Sequence, residues 1–487
     1  MSTTGKDKAI RGVVWSLIER FGIQIMRFIL GIILARLLSP EEFGIMGIVT
    51  VFLLVMQVFI DSGFGQAYIQ KKEISEEDAN TVFFTNLGIS VILYVILWFV
   101  APLLVNFYDE PQLMWLFRVM GIVMIINAFS IIQIAQLTRS VNFKNKSIIT
   151  LISVLISGSM GVIAAWKGLG VWSLLIQNLS EKFFIAIGLW FNSKWRPSAR
   201  FSKESFQSMF KFGFWILLSG IITKVFENIY VLVIGKLFPM GQLGYYSQAK
   251  KFQRLTTQQI TGAVGVVVFP VFAKSQSNLP RLQNQIKKFL QQTLVFIIPL
   301  LTTFIVVAEP FVLIFLGEKW APMIPYLQLL CLVGMLYPLN VVNVKVLLAI
   351  GKSNVNFILS LIKNSLRIVN IILMAKHGVI YILLGEVIIS LISVFINTFC
   401  IGKNVKYGFV KQMKDIWPFY FASIISFGVG YIVTKNISHL WLFLILGILV
   451  SIATYLLIQF IFNKEVLKES ISLKNSMIDK LGKKNAK

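Results

Sequence analysis

The sequence predicts an all-α polytopic membrane protein: fourteen transmembrane helices, two pseudo-symmetric six-helix lobes around a central cavity, and two extra C-terminal helices. Three observations predict it. Apolar residues fill 56% of 487 positions and charged ones only 14%, with mean hydropathy +0.78; that is too apolar for soluble domains of this length. The chain repeats itself at an offset of 200 residues. Its cations, finally, are unevenly placed along the chain.

The apolar runs, bounded by turn or charge signals, lie near 13–37, 43–69, 81–105, 113–137, 147–166, 169–192, 209–235, 243–272, 291–316, 323–350, 354–375, 378–402, 415–434 and 440–462. About 20 residues rising about 1.5 Å each span a bilayer core of roughly 30 Å, so every run is long enough to cross. Lys6, Lys8 and Arg11 lead straight into the first run. It is therefore expected to stay as a span and not to be cleaved as a signal.

The repeat places Trp15 on Trp215, Arg36 on Lys236, Gly44 on Gly244 and Gly65 on Gly265. Apolar matches arise easily in such a chain, but a Trp pair, a cation pair and two Gly pairs in one register do not. Beyond the eighth run the offset becomes 208, carrying Pro102 onto Pro310, Glu110 onto Glu318 and Gly170 onto Gly378. Six spans per copy make the copies parallel, related by a pseudo-twofold along the membrane normal. The expected segments are an N-lobe over 1–192, a cytoplasmic connection over 193–208, a C-lobe over 209–402, the last two spans within 403–463 and a basic cytoplasmic tail over 464–487.

With the N-terminus placed in the cytoplasm, 29 of the 46 cations fall on the cytoplasmic side and six on the other: Arg36, Lys167, Lys236, Lys319, Lys376 and Lys435. This is the positive-inside pattern, with both termini cytoplasmic. The net charge of +25 then reflects topology and contact with membrane lipids, and no nucleic-acid partner is expected.

Eleven cations remain inside the runs, where each costs about 2.5–3.5 kcal/mol at mid-bilayer. Arg20, Gln24 and Arg27 share one helical face, as do Lys251, Arg254 and Gln258, and Lys363, Arg367 and Asn370. Together with Lys224 these cations (Arg20, Arg27, Lys224, Lys251, Arg254, Lys363, Arg367) are the candidate substrate-binding residues of a hydrated cavity. Lys182, Lys250 and Lys345 lie near span ends and read equally as snorkelling to the headgroups, and the plainer reading of Arg20 is a pair with Glu19. The carboxylates Asp61 and Glu227 are candidate coupling sites, since an intramembrane carboxylate with a raised pKa can carry a proton. Pairing to a neighbouring cation is the plainer reading of both. Cys331 and Cys400 lie within apolar runs as packing residues, and His377 and His439 are far apart in the sequence. No zinc spacing, phosphate-cradling loop or nucleotide-holding domain is present in the sequence. No cofactor is expected, and an ion gradient or the membrane potential would be the driver.

Four segments carry a family resemblance: Ile33-Leu-Ala-Arg-Leu-Leu-Ser-Pro-Glu-Glu-Phe-Gly44, Gly168-Leu-Gly-Val-Trp-Ser173, Trp195-Arg-Pro-Ser-Ala-Arg-Phe-Ser202, and Ala308 to Trp320. The first resembles the opening-loop signature of the Wzx-type (WzxC-like) polysaccharide flippases, in the polysaccharide transporter branch of the MOP exporter superfamily, and the others resemble the same family. The resemblance implies a V-shaped, two-lobed transporter. Its expected task is moving undecaprenyl-diphosphate-linked oligosaccharide from the cytoplasmic to the periplasmic leaflet of a bacterial inner membrane, for O-antigen, capsule or exopolysaccharide. A polysaccharide polymerase and co-polymerase are the implied partners, and the chain is expected not to be an enzyme. Lipid II flippases of the superfamily place arginines on the first and eighth spans, where Arg20, Arg27 and Arg254 occupy similar positions.

Two rival readings differ in what they require. A cation-coupled drug antiporter would have a carboxylate-dominated cavity, whereas cations prevail here. A membrane glycan polymerase or ligase would carry a large periplasmic loop, and every such loop is short. The orientation predicts that a cysteine at Ser198, in the connection, resists a membrane-impermeant thiol reagent applied to cells with a permeabilised outer membrane; labelling would reverse the topology.

Overall fold

The structure is a computed structural model describing residues 22–61, 65, 68–69, 71, 74–140, 143–198, 200–464 and 466. Every regular element among them is helical. The chain forms two compact units, Met1–Ser247 and Gln248–Lys487.

In the first unit, α1 covers residues 22–37 and α2 Pro40–Asp61, followed by α3 (Glu76–Tyr108), α4 (Leu113–Met120), α5 (Ile122–Arg139), α6 (Phe143–Trp166) and α7 (Val171–Asn192). Next come α8 (Lys203–Glu227) and α9 (Ile229–Leu237), bent by 46° at Asn228, where the Asn228 side-chain amide donates to the Lys224 carbonyl at 3.0 Å. These two helices belong to the first unit because they pack on α2 and α3. Helix α10 (Met240–Lys274) begins there and continues into the second unit. That unit holds α11 (Leu279–Val306), α12 (Ile324–Ala349), α13 (Ser353–Met374), α14 (Val379–Val405), α15 (Phe409–Thr434) and α16 (Leu440–Phe462).

Eleven helices among the described residues are long and apolar enough to cross a membrane, or twelve if the bent α8–α9 pair is one span. Two of the expected spans fall outside this count. Only sixteen residues of α1 are described, and α10 carries Lys250, Lys251, Arg254 and Lys274.

The family-like stretch at residues 33–44 is a helix start. Ser39 caps α2: its hydroxyl accepts from the Glu42 amide, and the Glu42 carboxylate accepts from the Ser39 amide at 2.6 Å, with Pro40 as first helical residue. This reciprocal pair satisfies two otherwise orphaned backbone donors. One turn on, Gly44 has a second purpose. A Cβ there would overlap the Met240 carbonyl, and a Cβ on Gly244 would overlap the Pro40 carbonyl. The first turns of α2 and α10 thus cross backbone to backbone, each copy of the repeat presenting to the other the residue that the other presents to it. Lys236 pairs with Asp109 at 2.9 Å in the same unit.

The repeat is also written in the backbone. α1 and α9 end at residues 37 and 237, and α2 and α10 start at 40 and 240. At the offset of 208, Trp166 and Met374 end α6 and α13, and Val171 and Val379 start α7 and α14. Asp109 and Gly317 both adopt positive φ after the segments that end at Tyr108 and Leu316.

The two last helices are built into the second unit. Thr302 on α11 shares a 2.5 Å hydroxyl contact with Ser423 on α15, and Asn343 on α12 exchanges amide hydrogen bonds with Gln412 on α15. Ser426 donates to the Ser451 carbonyl, and Gln459 on α16 to the Pro418 carbonyl. Between helices in lipid, where apolar contact brings little net drive, such polar pairs and small residues hold the packing.

The connection after α7 is laid along the first turn of α3. Asp78 takes Lys71 and the Ser205 hydroxyl, Asn80 exchanges two hydrogen bonds with Ser198, and Thr81 accepts from the Ser202 amide. Trp195 packs edge-on against Phe83. A cysteine at Ser198 would therefore be shielded whichever side it faced, so the informative position is Arg200, which is exposed. Arg200→Cys is expected to escape the impermeant reagent in intact cells and to react after lysis.

The backbone crossing yields a sign difference. Gly44→Ala should lower the melting temperature in detergent, at an overpacking cost of about 1–3 kcal/mol. Gly88→Ala, mid-helix where a Cβ meets open space, should raise it slightly, since Ala is the better helix former. Equal melting of the two variants would contradict the crossing.

Candidate functional site

Burying a cation among apolar helices requires a counter-charge, an aromatic face, water or a ligand, and each expected site residue can be sorted by which it has. In the first unit, Arg27 on α1 pairs with Glu181 on α7 at 2.5 Å, with side chains 43% and 14% exposed. Lys224 pairs with Glu227 one turn later on α8, both in part exposed. Arg118 lies with its guanidinium carbon 4.4 Å from the centre of the Trp98 ring and 5.2 Å from Trp115, a cation–π clamp that shelters the charge without a carboxylate. Arg20 lies outside the described residues, and Asp61 ends α2 with its side chain outside them.

In the second unit, Arg367 on α13 reaches Glu386 on α14 through Nε and Nη2, the latter at 3.1 Å, and also touches Asn364. One turn earlier, Lys363 donates to Asn397 at 3.4 Å, and Asn397 donates to Asn340 on α12. Asn370, the third member of that face, donates to the Ile382 carbonyl. The expected stripe on α13 is real, and it faces a polar seam on α14 and α12. On α10, Lys251 is exposed. Arg254 is half-buried and has no ion pair or hydrogen bond to any other described residue.

The arrangement separates two chemistries. Arg27, Lys224 and Arg367 bring their own carboxylates and are close to neutral as pairs. Arg254 is a planar fork of donors left open for an acceptor, the geometry that takes a phosphate or carboxylate bidentately. Glu227, a candidate coupling carboxylate, pairs with Lys224, as the plainer of its two readings expects. The sequence reading missed Glu181. The signal that would have found it is the one applied to Asp61, a carboxylate inside an apolar run.

The Arg367–Glu386 pair generates a direct test. Arg367→Ala strands Glu386, 9% exposed, as an uncompensated carboxylate, a loss of about 3–5 kcal/mol for a buried pair. The double variant Arg367→Ala/Glu386→Gln should regain most of the melting temperature lost by the single one. A double variant no more stable than Arg367→Ala would show the pair to be incidental.

The family described as polysaccharide biosynthesis protein matches residues 33–325. The lipopolysaccharide biosynthesis protein WzxC of Escherichia coli (strain K12) is 25% identical over 442 residues, 89% of this chain and 90% of that protein. The succinoglycan biosynthesis transport protein ExoT of Rhizobium meliloti (strain 1021) is 28% identical, over 68% and 67%. The teichuronic acid biosynthesis protein TuaB of Bacillus subtilis (strain 168) is 26% identical, over 71% and 72%. Among solved structures, the lipid II flippase MurJ in an inward closed conformation shares the fold, with TM-score 0.75 at 19% identity, over 93% of this chain and all of that one. An inward-facing MATE transporter of the MOP superfamily shares it at TM-score 0.62 and 15% identity, over 81% and 99%. The motif resemblance to the Wzx-type exporters holds, and the chain belongs to the polysaccharide biosynthesis protein family, on the fold shared by MurJ and the MATE transporters.

Proposed function

We propose that this chain is a flippase that moves an undecaprenyl-diphosphate-linked oligosaccharide from the cytoplasmic to the periplasmic leaflet by alternating access, supplying units for a surface polysaccharide. Family membership supports the pathway, and the similarity to ExoT, a succinoglycan biosynthesis transport protein, supports the transport step. The observation that carries the substrate class is Arg254, the half-buried guanidinium without a partner among the described residues. Moving a sugar and a diphosphate through hydrocarbon unaided would strip many hydrogen bonds, each costing several kcal/mol. An open arginine fork replaces part of that hydration, with Lys251 one turn away adding charge.

In this reading both termini and the connection are cytoplasmic in the inner membrane, and a polymerase with its co-polymerase takes up the delivered units. Arg27 and Arg367 hold phosphate only when their own carboxylates yield, so their contribution is secondary to that of Arg254. An ion gradient or the membrane potential supplies the drive. The excess of cations over carboxylates sets this substrate apart from the cationic cargo of a drug antiporter.

Flipping of labelled carrier-linked oligosaccharide in proteoliposomes tests the assignment. Arg254→Ala should lose most activity and Arg254→Lys part of it, because an ammonium keeps the charge but not the fork. Arg254→Glu should be inactive at normal protein level. Arg254→Ala protein that folds and flips at the normal rate would refute the assignment.

A further inference from the structure

A groove of about 510 Å³ runs along the last turns of α7 in the first unit, and its lining includes none of the cations assigned to the substrate. Its walls are Ile126 and Phe129 of α5 and Phe183, Ile187 and Phe191 of α7, with Trp190 and Arg196 at the end where α7 gives way to the connection. The walls are apolar, and among the described residues the one charge on the lining is Arg196.

Arg196 is held in place. Its Nη1 donates to the carbonyls of Ser193 at 2.7 Å and Trp195 at 2.8 Å, and its guanidinium carbon lies 5.3 Å from the centre of the Trp190 ring. Nε and Nη2 have no partner among the described residues. Lys194 and Arg200, both exposed, flank it in the sequence. An apolar slot ending in one fixed guanidinium with open donors is complementary to an amphiphile with one anionic head.

Volume selects the amphiphile. At about 30 Å³ for a water-sized group, close to that of a methylene, the groove takes roughly seventeen such groups. That is one acyl chain and far less than a long polyprenyl chain. We propose that the groove binds one anionic glycerophospholipid of the surrounding bilayer, with its phosphate on Arg196 and one acyl chain between α5 and α7. The lipid acts as a ligand of the folded first unit. It holds the end of α7 and the Trp195–Arg196 segment, whose indole already packs on Phe83, and so stabilises the connection laid along α3.

The test is lipid-dependent melting of the purified full-length protein in a non-ionic detergent, with phosphatidylglycerol or phosphatidylcholine added. Phosphatidylglycerol should raise the melting temperature and phosphatidylcholine should not. Arg196→Gln removes the head contact and Ile187→Trp fills the slot. Each should melt like the parent without lipid and lose at least half of the phosphatidylglycerol shift. Equal shifts from the two lipids would overturn the proposal as general solvation, and a shift undiminished in both variants would overturn it as binding elsewhere. Native mass spectrometry adds a further arm: one retained phosphatidylglycerol in the parent, absent from Arg196→Gln, supports the site. Its displacement by equimolar undecaprenyl phosphate would assign the groove to the carrier and reject the phospholipid.

Discussion

The cost of a charge among apolar helices governs this protein more than any other constraint. A cation stranded in hydrocarbon costs more than a typical helix contact returns, so each must be answered locally. The chain answers in several ways: carboxylates across helices for Arg27 and Arg367, a carboxylate one turn away for Lys224, and two indoles for Arg118. Among the described residues Arg254 is given none of these. In the proposed function that position is filled by a ligand arriving from outside.

The backbone and the side chains of the repeat follow different rules. Helix ends, the positive-φ positions at Asp109 and Gly317, and the reciprocal crossing at Gly44 and Gly244 all keep the register of two copies. The charges do not. The positions matching Lys250, Lys251 and Arg254 in the first copy are Thr50, Val51 and Leu54. A repeated backbone therefore carries unrepeated cations, which in the proposed function suits an elongated substrate with one charged end.

Much of the fold was legible because hydrocarbon imposes simple rules on sequence. Apolar run length marked the helices; the glycine pair in register marked only the repeat, and its crossing without room for a Cβ came from the structure. The span count was less secure, since α10 carries more charge than a composition test allows. The candidate site was legible only by halves. Helical spacing placed Lys363, Arg367 and Asn370 on one face, but their partners Glu386, Asn397 and the Ile382 carbonyl come from another helix. Spacing within a helix says nothing about which neighbour will face it. Glu181 opposite Arg27 was missed for that reason, and the shielding of Ser198 by Asn80, 118 residues away, could not be read locally at all.

The central claim is that phosphate is what the protein grips. The most direct measurement compares flipping, by the unaltered protein in proteoliposomes, of two labelled lipids that carry the same oligosaccharide on the same polyprenyl chain. One has the diphosphate and the other a neutral ether in its place. The account predicts rapid movement of the diphosphate lipid and little movement of the neutral one, with inorganic pyrophosphate slowing the first. Equal rates for the two lipids would contradict it.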